Sequence, residues 1–360
     1  MSEQLSVALV GPLPPPSGGM ANQCRQLARL LGEEGVRVEV VQVNAPYRPA
    51  FVAHLKGIRA LFRLLPYKLA LWRAAGRADV MHVMANSGWS WYLFALPAIM
   101  IARLRGTPII VNYRGGGAET FFANAPGWVL RYLRQVDALV LPSGFLREVF
   151  QRFGVDGQVI PNIIDLDRFK PAQRDGREPP HLIVTRNLEP IYDIPSALQA
   201  FALVRQQLKQ ARLTIAGSGP EREQLEQLAA DLGIADAVTF TGRIDNDQMT
   251  ALYASADVML NPSTIDNMPI SILEAFASGV PVVSTRVGGV PFVAEHGRTA
   301  FLVEARDYRA MAQSVLRLMQ EPELARAFRT AGLAEAQRYA WPVVREQWLA
   351  AYRQAGKRGH

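Results

Sequence analysis

The sequence predicts an α/β protein with two doubly wound, Rossmann-like domains and a helical tail. Three observations predict this fold class. The chain has 360 residues, it alternates strand-like and helix-like segments twice over, and a polar stretch separates the two runs. Hydrophobic residues make up 49% and charged residues 20% of the chain, which is ordinary for a globular protein with two cores.

The first half contains apolar runs rich in Val, Ile and Leu, which predict parallel strands covered on both faces. These runs cover residues 5–10, 36–43, 78–83, 108–113, 137–142 and 157–161. Helices are predicted over residues 20–34, 90–105, 127–135 and 143–153. His82 lies in the third run and is interpreted as a packed core histidine. This alternation is typical of a doubly wound domain.

The polar, proline-bearing stretch 167–180 predicts an interdomain linker, after which the same rhythm restarts. The second set of predicted strands covers 181–185, 212–217, 237–242, 257–262, 281–285 and 300–303. The second set of predicted helices covers 193–209, 220–232, 245–255, 269–278 and 307–319. The tail, 322–355, is predicted to be helical with a break at Trp341-Pro342. The expected domains are therefore residues 1–168 and 169–340, followed by a C-terminal helix in 341–360.

Cysteine usage and the N-terminus indicate where the protein works. Cys24 is the sole cysteine, which excludes a disulfide within the chain and a cysteine-rich metal site. The first eleven residues have an acid and no basic flank before the apolar run, so they do not resemble a signal peptide. A cytoplasmic location is expected.

The net charge of +7 is concentrated in part in a basic segment, Phe51–Arg77. Six cations alternate there with apolar side chains and no acid intervenes: Lys56, Arg59, Arg63, Lys68, Arg73 and Arg77. Two interpretations stay open, a peripheral surface that lies on anionic lipid and a solvated basic helix face. Nucleic-acid binding is disfavoured because no standard nucleic-acid module shows its signature.

A second apolar segment, 89–102, is apolar enough to raise the question whether it crosses a membrane. It is shorter than the roughly 20 residues that cross a bilayer, and Pro97 interrupts it. A buried helix is expected, and monotopic contact with a membrane is the alternative.

The stretch from Asp266 to Thr285 carries the strongest chemical signal. It predicts a loop, a helix with Pro269 in its first turn, a glycine stop and a strand. The amide groups that open this helix, with the positive end of its dipole, form an anion site suited to a diphosphate. Glu274 follows Asp266 by eight positions, about two turns into the helix. Two carboxylates so placed can hold opposite ends of one elongated ligand.

This stretch closely resembles the E-x7-E signature of glycosyltransferase family 4, with Asp266 and Glu274 as the two acids. The resemblance extends over nearly the whole chain, from the first glycine loop and helix through the crossover segment 159–169 to the second domain. It implies a GT-B fold, with two facing Rossmann-like domains and a C-terminal helix that crosses back to the N-terminal domain. It also implies a nucleotide-sugar donor, retention of anomeric configuration, and no metal or other cofactor.

The resemblance implies roles for particular residues of the second domain. Glu274 corresponds to the acid that accepts from ribose hydroxyls, and Asp266 to the acid that contacts the transferred sugar. The backbone beside sugar and phosphate corresponds to Asn267, Met268, Pro269 and Ile270.

Glycines and one arginine complete the implied donor site. Gly18 and Gly19 resemble the loop that closes near the donor phosphate and the acceptor. Gly217 and Gly219 fit either a donor loop or a tight turn, and Arg243 is either a base-packing residue or a surface arginine.

Two positions depart from the family pattern. The diphosphate clamp of Arg and Lys is represented by Arg186 alone, because Tyr192 stands where Lys is expected. Arg114 replaces a common His before glycines in the first domain. Arg cannot serve as a general base, but it can hold an anionic group. Arg186, Arg114 and Asp266 are thus the catalytic candidates, and Arg286 or Arg114 is the candidate to replace the missing cation.

The favoured function is transfer of a hexosyl group from a nucleotide-sugar to a lipid-linked sugar or a polysaccharide. The departures at Tyr192 and Arg114 leave open a weakly active, scaffold-like member. A nucleotide-sugar 2-epimerase is a third alternative. A nicotinamide dehydrogenase is disfavoured because the first loop, residues 11–19, lacks the G-x-G-x-x-G pattern.

Overall fold

A computed structural model of the protein describes residues 4–15, 18–47, 51, 54, 59–172 and 179–358. The chain forms two compact units. The first comprises Met1–Ile163 together with Val344–His360, and the second comprises Ile164–Val343. Residues 55, 56 and 58 of the basic segment and residues 173–178 of the predicted linker lie outside the described residues.

The first unit contains a parallel sheet with strand order β2-β1-β3-β4-β5-β6. Its strands are β1 (Ser6–Gly11), β2 (Arg37–Gln42), β3 (Val80–Ala85), β4 (Ile109–Tyr113), β5 (Ala138–Leu141) and β6 (Gln158–Val159). All six match predicted strands. Every residue of β1, β3 and β4 is buried, as continuous apolar runs require in a sheet covered on both faces.

The helices of the first unit are α1 (Gly19–Glu33), α2 (Arg59–Ala75), α3 (Leu96–Leu104), α4 (Ala118–Asn124), α5 (Gly127–Leu133) and α6 (Gly144–Arg152). The set of predicted helices did not include α2 and α4. An internal proline, Pro66, obscures the helical pattern of α2, and seven residues are too few for α4 to show a period.

The apolar segment 89–102 differs from the expected buried helix. A π-helical turn, Trp91–Ala95, leads directly into α3. Leu96 donates its N–H to the carbonyl of Trp91, and the helix continues through Pro97, so Pro97 does not interrupt it. Trp91 and Ile99 are fully buried, whereas 79% of Trp89 is exposed. The segment is therefore buried on one face only.

The second unit contains a parallel sheet with strand order β12-β11-β10-β7-β8-β9. Its strands are β7 (His181–Val184), β8 (Arg212–Ala216), β9 (Val238–Gly242), β10 (Val258–Asn261), β11 (Val282–Thr285) and β12 (Ala300–Val303). All six match the predicted strands. Strand order reverses between β7 and β10, which creates the topological switch point where α/β sheets bind ligands.

The helices of the second unit are α7 (Ile194–Gln207), α8 (Arg222–Asp231), α9 (Asn246–Ala254), α10 (Ile270–Ala277), α11 (Tyr308–Gln320) and α12 (Pro322–Gln337). The first five match the five predicted helices of this half, and α12 forms the first part of the predicted helical tail. Within the described ranges, no helix combines the length and the apolar character needed to cross a membrane.

The last helix, α13 (Trp341–Arg358), returns to the first unit, as the resemblance implied. The predicted break at Trp341-Pro342 is displaced, because a turn at residues 338–340 ends α12 and proline is accepted in the first turn of α13. Trp348 stacks on His82 with ring centroids 4.8 Å apart, and the Tyr352 hydroxyl lies 2.7 Å from Nδ1 of that histidine. Burial lowers the pKa of His82 to about 3, so the ring is a neutral core group as predicted.

Candidate functional site

The candidate site of the second unit lies where strand order reverses. Loops that follow β7, β10 and β11 meet at the carboxyl ends of these neighbouring strands. Thr264 donates its N–H to the carbonyl of Ile191 at 2.8 Å, which ties the β10 loop to the β7 loop. Gly289 donates its N–H to the carbonyl of Asp266 at 2.8 Å, which ties the β11 loop to the β10 loop.

Arg186 is the central side chain of this site. It forms an ion pair with Asp266, and each of the two side chains is only 11% exposed. Its Nε donates to Oδ1 of Asn261 at 2.8 Å. Burial lowers the pKa of Arg186, while Tyr192, Tyr253 and Glu274 oppose the shift. The structure thus brings together the two catalytic candidates of this unit.

Tyr192, which stands where a lysine was expected, contacts the same arginine. The guanidinium carbon of Arg186 lies 4.9 Å from the centroid of the Tyr192 ring. An aromatic face near a cation is attractive and restricts where the guanidinium can move. The substitution therefore removes one cation from the site and adds a side chain that orients the remaining one.

Glu274 occupies the fifth position of α10, one turn into the helix rather than two. The hydroxyl of Tyr253 lies 3.0 Å from its Oε2 and 2.7 Å from Oγ1 of Thr185. Burial raises the pKa of Glu274 to about 7, although Tyr253, Arg168 and Arg186 favour the ionised form. The carboxyl group is therefore poised to change charge near neutral pH.

The start of α10 differs from the prediction in the position of Pro269, but it still offers the predicted amide groups to an anion. Pro269 is the N-cap residue with extended backbone, not a residue of the first turn, and Ile270 begins the helix. The first turn contains no acid, and the side chain of Pro269 forms no cap hydrogen bond. Asn267 and Met268 are buried, whereas Ile270 is partly buried. Amide groups and the dipole of α10 remain suited to an anion.

Two glycines support the Arg186 loop. A Cβ atom on Gly217 would overlap the carbonyl oxygen of Arg186, and one on Gly219 would overlap that of Leu188. Gly217 also donates its N–H to the carbonyl of Gly242 at 2.9 Å. Both glycines therefore permit close backbone packing behind the arginine, and a direct contact with a donor stays a prediction.

Other predicted residues lie further along the same sheet edge. Arg243 is exposed and follows Gly242, whose φ of +71° is a conformation that suits glycine. Arg243 directly follows β9, which is an edge strand of the sheet. Arg286 is also exposed and follows β11. Their roles toward a base or a phosphate stay predictions.

The remaining predicted residues belong to the first unit. Gly18 is the N-cap residue of α1 and Gly19 begins the helix, and no described atom lies within 4 Å of a Cβ on either. Arg114 follows β4, contacts the side chain of Asn162, and donates its N–H to the carbonyl of Ala85 at 2.9 Å. Burial lowers the pKa of Arg114 to about 10, and the nearby Cys24 opposes this shift.

Sequence reasoning missed three residues that shape the site. Asn261 accepts from Arg186, Tyr253 donates toward Glu274, and a Cβ on Gly289 would overlap the carbonyl oxygen of Asn267. Tyr253 carried a usable signal, because a tyrosine at a buried helix position needs a partner for its hydroxyl. In the described part of the chain, no group of three His, Cys, Asp or Glu side chains is arranged to hold a metal ion.

Two doubly wound units, one of which has an arginine, two acids and the start of helix α10 at its switch point, are typical of the GT-B glycosyltransferases. Family models agree with this class. Residues 17–168 match Glycosyltransferase Family 4, and residues 166–334 match Glycosyl transferases group 1. The chain belongs to this family and is a glycosyltransferase.

Individual proteins show the same likeness. The GDP-mannose-dependent α-(1-6)-phosphatidylinositol monomannoside mannosyltransferase of Mycobacterium tuberculosis is 30% identical over 67% of this chain and 69% of its own. Sucrose-phosphate synthase of Thermosynechococcus elongatus shares the fold with a TM-score of 0.77, 21% identity, and coverage of 98% and 99% of the two chains. Anabaena HepE in complex with UDP-glucose has a TM-score of 0.74 at 16% identity, over 96% and 98%.

Proposed function

We propose that the protein transfers a hexosyl group, with retention of configuration, from a nucleoside-diphosphate sugar to a lipid-linked sugar or a polysaccharide. The observation that carries this proposal is the arrangement of Arg186, Asp266 and Glu274 beside the start of α10. Relatives add support, because one is named a GDP-mannose-dependent transferase acting on a glycolipid and one fold neighbour holds UDP-glucose.

Each group has a distinct chemical task in this proposal. Amides at the start of α10 and the Arg186 guanidinium hold the diphosphate and stabilise the charge that develops as it leaves. Asp266 accepts from hydroxyls of the sugar, and Glu274 accepts from hydroxyls of the ribose. The leaving phosphate takes the proton of the acceptor hydroxyl on the same face, so no protein nucleophile is required. Arg114, in the first unit, holds an anionic group of the acceptor.

The proposal requires no metal ion, because Arg186 and the helix dipole supply the positive charge that the diphosphate needs. We also propose that the protein acts in the cytoplasm. The lone buried cysteine, Cys24, suits a reducing compartment.

A calorimetric comparison of diphosphate and monophosphate ligands tests the donor site. UDP, GDP, ADP and TDP should be titrated, each beside its monophosphate. We expect one nucleoside diphosphate to bind at least tenfold more tightly than its monophosphate, since a single charge-assisted contact contributes about 1.5–3 kcal/mol. Equal affinities within every pair would contradict the diphosphate site.

The exposed face of α2 supports a peripheral position on an anionic membrane. Phe62, Leu65, Leu69 and Trp72 form a stripe in which each side chain is between 43% and 58% exposed. Two exposed cations, Lys68 and Arg73, flank the stripe. The other face of the helix is buried and consists of Tyr67, Leu71 and Ala74. An apolar stripe bordered by cations is typical of helices that lie in the interface of anionic bilayers.

Sedimentation with vesicles tests this surface. We expect binding to vesicles that contain anionic phosphatidylglycerol and not to pure phosphatidylcholine. The Lys68→Glu variant should bind at least fivefold more weakly, because each surface charge contributes about 1 kcal/mol at an anionic membrane. Lys209→Glu is the matched control, since Lys209 is an exposed lysine of the second unit. Negligible binding of the wild type to both vesicle types would contradict the proposal.

A further inference from the structure

Four aromatic side chains form a ridge on the surface of the first unit, here called the aromatic ridge: Trp89, Tyr92, Trp128 and Tyr132. Ring centroids of successive members lie 6.3, 6.0 and 6.2 Å apart, and the planes meet at 65° or more. Trp89 is 79% exposed and Trp128 is 41% exposed. The four rings adjoin one another, and a contiguous exposed apolar patch, unlike a single exposed side chain, marks an interaction site.

The aromatic ridge rests on a rigid base. Tyr92 lies in the π-helical turn, and its ring contacts Phe121 with centroids 5.9 Å apart. Phe121 in turn contacts the buried Phe122 at 5.0 Å, and Trp91 is fully buried beneath the turn. Single π-helical turns are rare and occur frequently at functional sites. The rings are therefore held before any ligand arrives, which reduces the entropy lost on binding.

The position of the aromatic ridge connects it to the ligand edge of the sheet. Trp89 follows the end of β3 by four residues, and the residues between them include Asn86 and Ser87. A Cβ atom on Gly115, next to Arg114, would clash with the side chains of both. The glycine loop leads into α4, and α5, which contains Trp128, comes next along the chain. Trp89 thus belongs to a segment that leaves the carboxyl end of β3, and the carboxyl ends of strands form the edge at which doubly wound domains bind ligands.

The chemistry of the aromatic ridge favours a carbohydrate over a bilayer. A pyranose ring presents an apolar face of C–H groups that covers an aromatic ring, while its hydroxyl groups stay hydrated. Asn124 and Arg131, four residues before and three residues after Trp128, are exposed polar side chains that can bond to such hydroxyls, although the amide of Asn124 also donates to the carbonyl of Thr120 at 2.7 Å. By contrast, the exposed stripe of α2 includes two leucines, Leu65 and Leu69, and is flanked by the cations Lys68 and Arg73, as a lipid surface requires.

We propose that the aromatic ridge is a carbohydrate-binding subsite that holds sugar units of the acceptor glycan by stacking on Trp89 and Trp128. This proposal rests on the proposed function, because it assigns the acceptor of the same enzyme. It adds that recognition extends along the acceptor, so that an acceptor with several sugar units is bound more tightly than a monosaccharide.

Titration of the full-length protein with defined oligosaccharides tests this subsite. Maltotriose, α-mannotriose and chitotriose are titrated separately while tryptophan emission is recorded. The corresponding monosaccharides are titrated in the same way for comparison. We expect saturable binding of at least one trisaccharide, tighter than its monosaccharide. Affinity should fall at least fivefold in Trp89→Ala and become undetectable in the double variant with Trp128→Ala. Phe292→Ala, which changes an exposed aromatic side chain of the second unit, is the matched control and should bind as the wild type does.

Two further measurements separate this proposal from the others. Nucleoside-diphosphate binding, measured by calorimetry, should be the same in Trp89→Ala as in the wild type. If the wild type itself binds no nucleoside diphosphate, that result counts against the proposed function and not against the carbohydrate subsite. Vesicle binding of Trp89→Ala should also be unchanged, and a loss there would assign the aromatic ridge to a membrane and overturn the subsite. Failure of all three trisaccharides to bind the folded wild type would overturn it as well.

Discussion

The Arg186→Ala variant should lose about two to three orders of magnitude in kcat, because removal of one preorganised group that stabilises transition-state charge has about this effect. Arg186 is the buried cation of the site and pairs with Asp266 in the free protein. Its loss removes stabilisation of the leaving diphosphate and also leaves the Asp266 carboxylate without its partner. Release of nucleoside diphosphate under saturating donor and acceptor gives kcat directly.

Two further variants make this result specific. Arg205→Ala also breaks an arginine–carboxylate pair of the second unit, that with Asp236, and should retain wild-type kcat. Arg186→Lys keeps the charge but cannot reproduce the contacts to both Asn261 and Asp266, so an intermediate rate is expected. Wild-type turnover in a folded Arg186→Ala protein would contradict the role given to this residue.

The Glu274→Ala variant should raise the donor KM by about 10- to 100-fold, or abolish turnover, while the fold stays intact. A hydrogen bond to a charged group contributes about 1.5–3 kcal/mol, and two ribose hydroxyls are available to this carboxylate. Steady-state kinetics with varied donor measure the effect. Glu226→Ala, at an exposed glutamate of the same unit, should leave the donor KM unchanged. A KM equal to that of the wild type in Glu274→Ala would remove this residue from the donor site.

The same carboxyl group should make stability and donor binding respond oppositely to pH. Its pKa is about 7 in the folded protein against an ordinary value of 4.5, so the folded state holds more protons between these values. The free energy of unfolding therefore falls as pH rises from about 4.5 through 7, by at most about 3 kcal/mol. Ionised Glu274 accepts from ribose hydroxyls, so donor affinity should increase over the upper part of this range.

Denaturant titrations at pH 5 and pH 8 separate Glu274 from other titrating groups. In Glu274→Gln the fall in unfolding free energy between these pH values should be smaller than in the wild type. Identical pH dependence of the two proteins would show that Glu274 is not the group responsible.

Much of the fold could be predicted because burial on both faces leaves a clear mark on sequence. Strands such as β1 and β3 are unbroken apolar runs, and every residue in them is buried. Helix α2 lacked such a mark, since its exposed stripe is also apolar and Pro66 lies inside it. The π-helical turn at Trp91 could not be predicted, because no local preference distinguishes it from an α-helical turn.

The site was predictable where a motif or the resemblance to glycosyltransferase family 4 marks its residues. Asp266 and Glu274 lie in one motif, and the resemblance implied Arg186 in the loop after the first strand of the second domain. Asn261 contacts Arg186 because β10 lies beside β7 in the sheet, and the order of strands is not written in any one segment. Tyr253 contacts Glu274 across two different helices, α9 and α10, which no single segment of sequence indicates either. Gly289 was missed for the same reason, since its close contact with Asn267 is made between two loops.

The return of α13 to the first unit has a consequence for the order of folding on the ribosome. All residues of the second unit have been synthesised by Val343, before the first unit receives Trp348 and Tyr352, which cover His82. Domains generally fold as units when their chain is complete. The second domain is therefore synthesised in full before the first is complete, and a stop codon placed just before Trp348 would damage the domain whose synthesis began first.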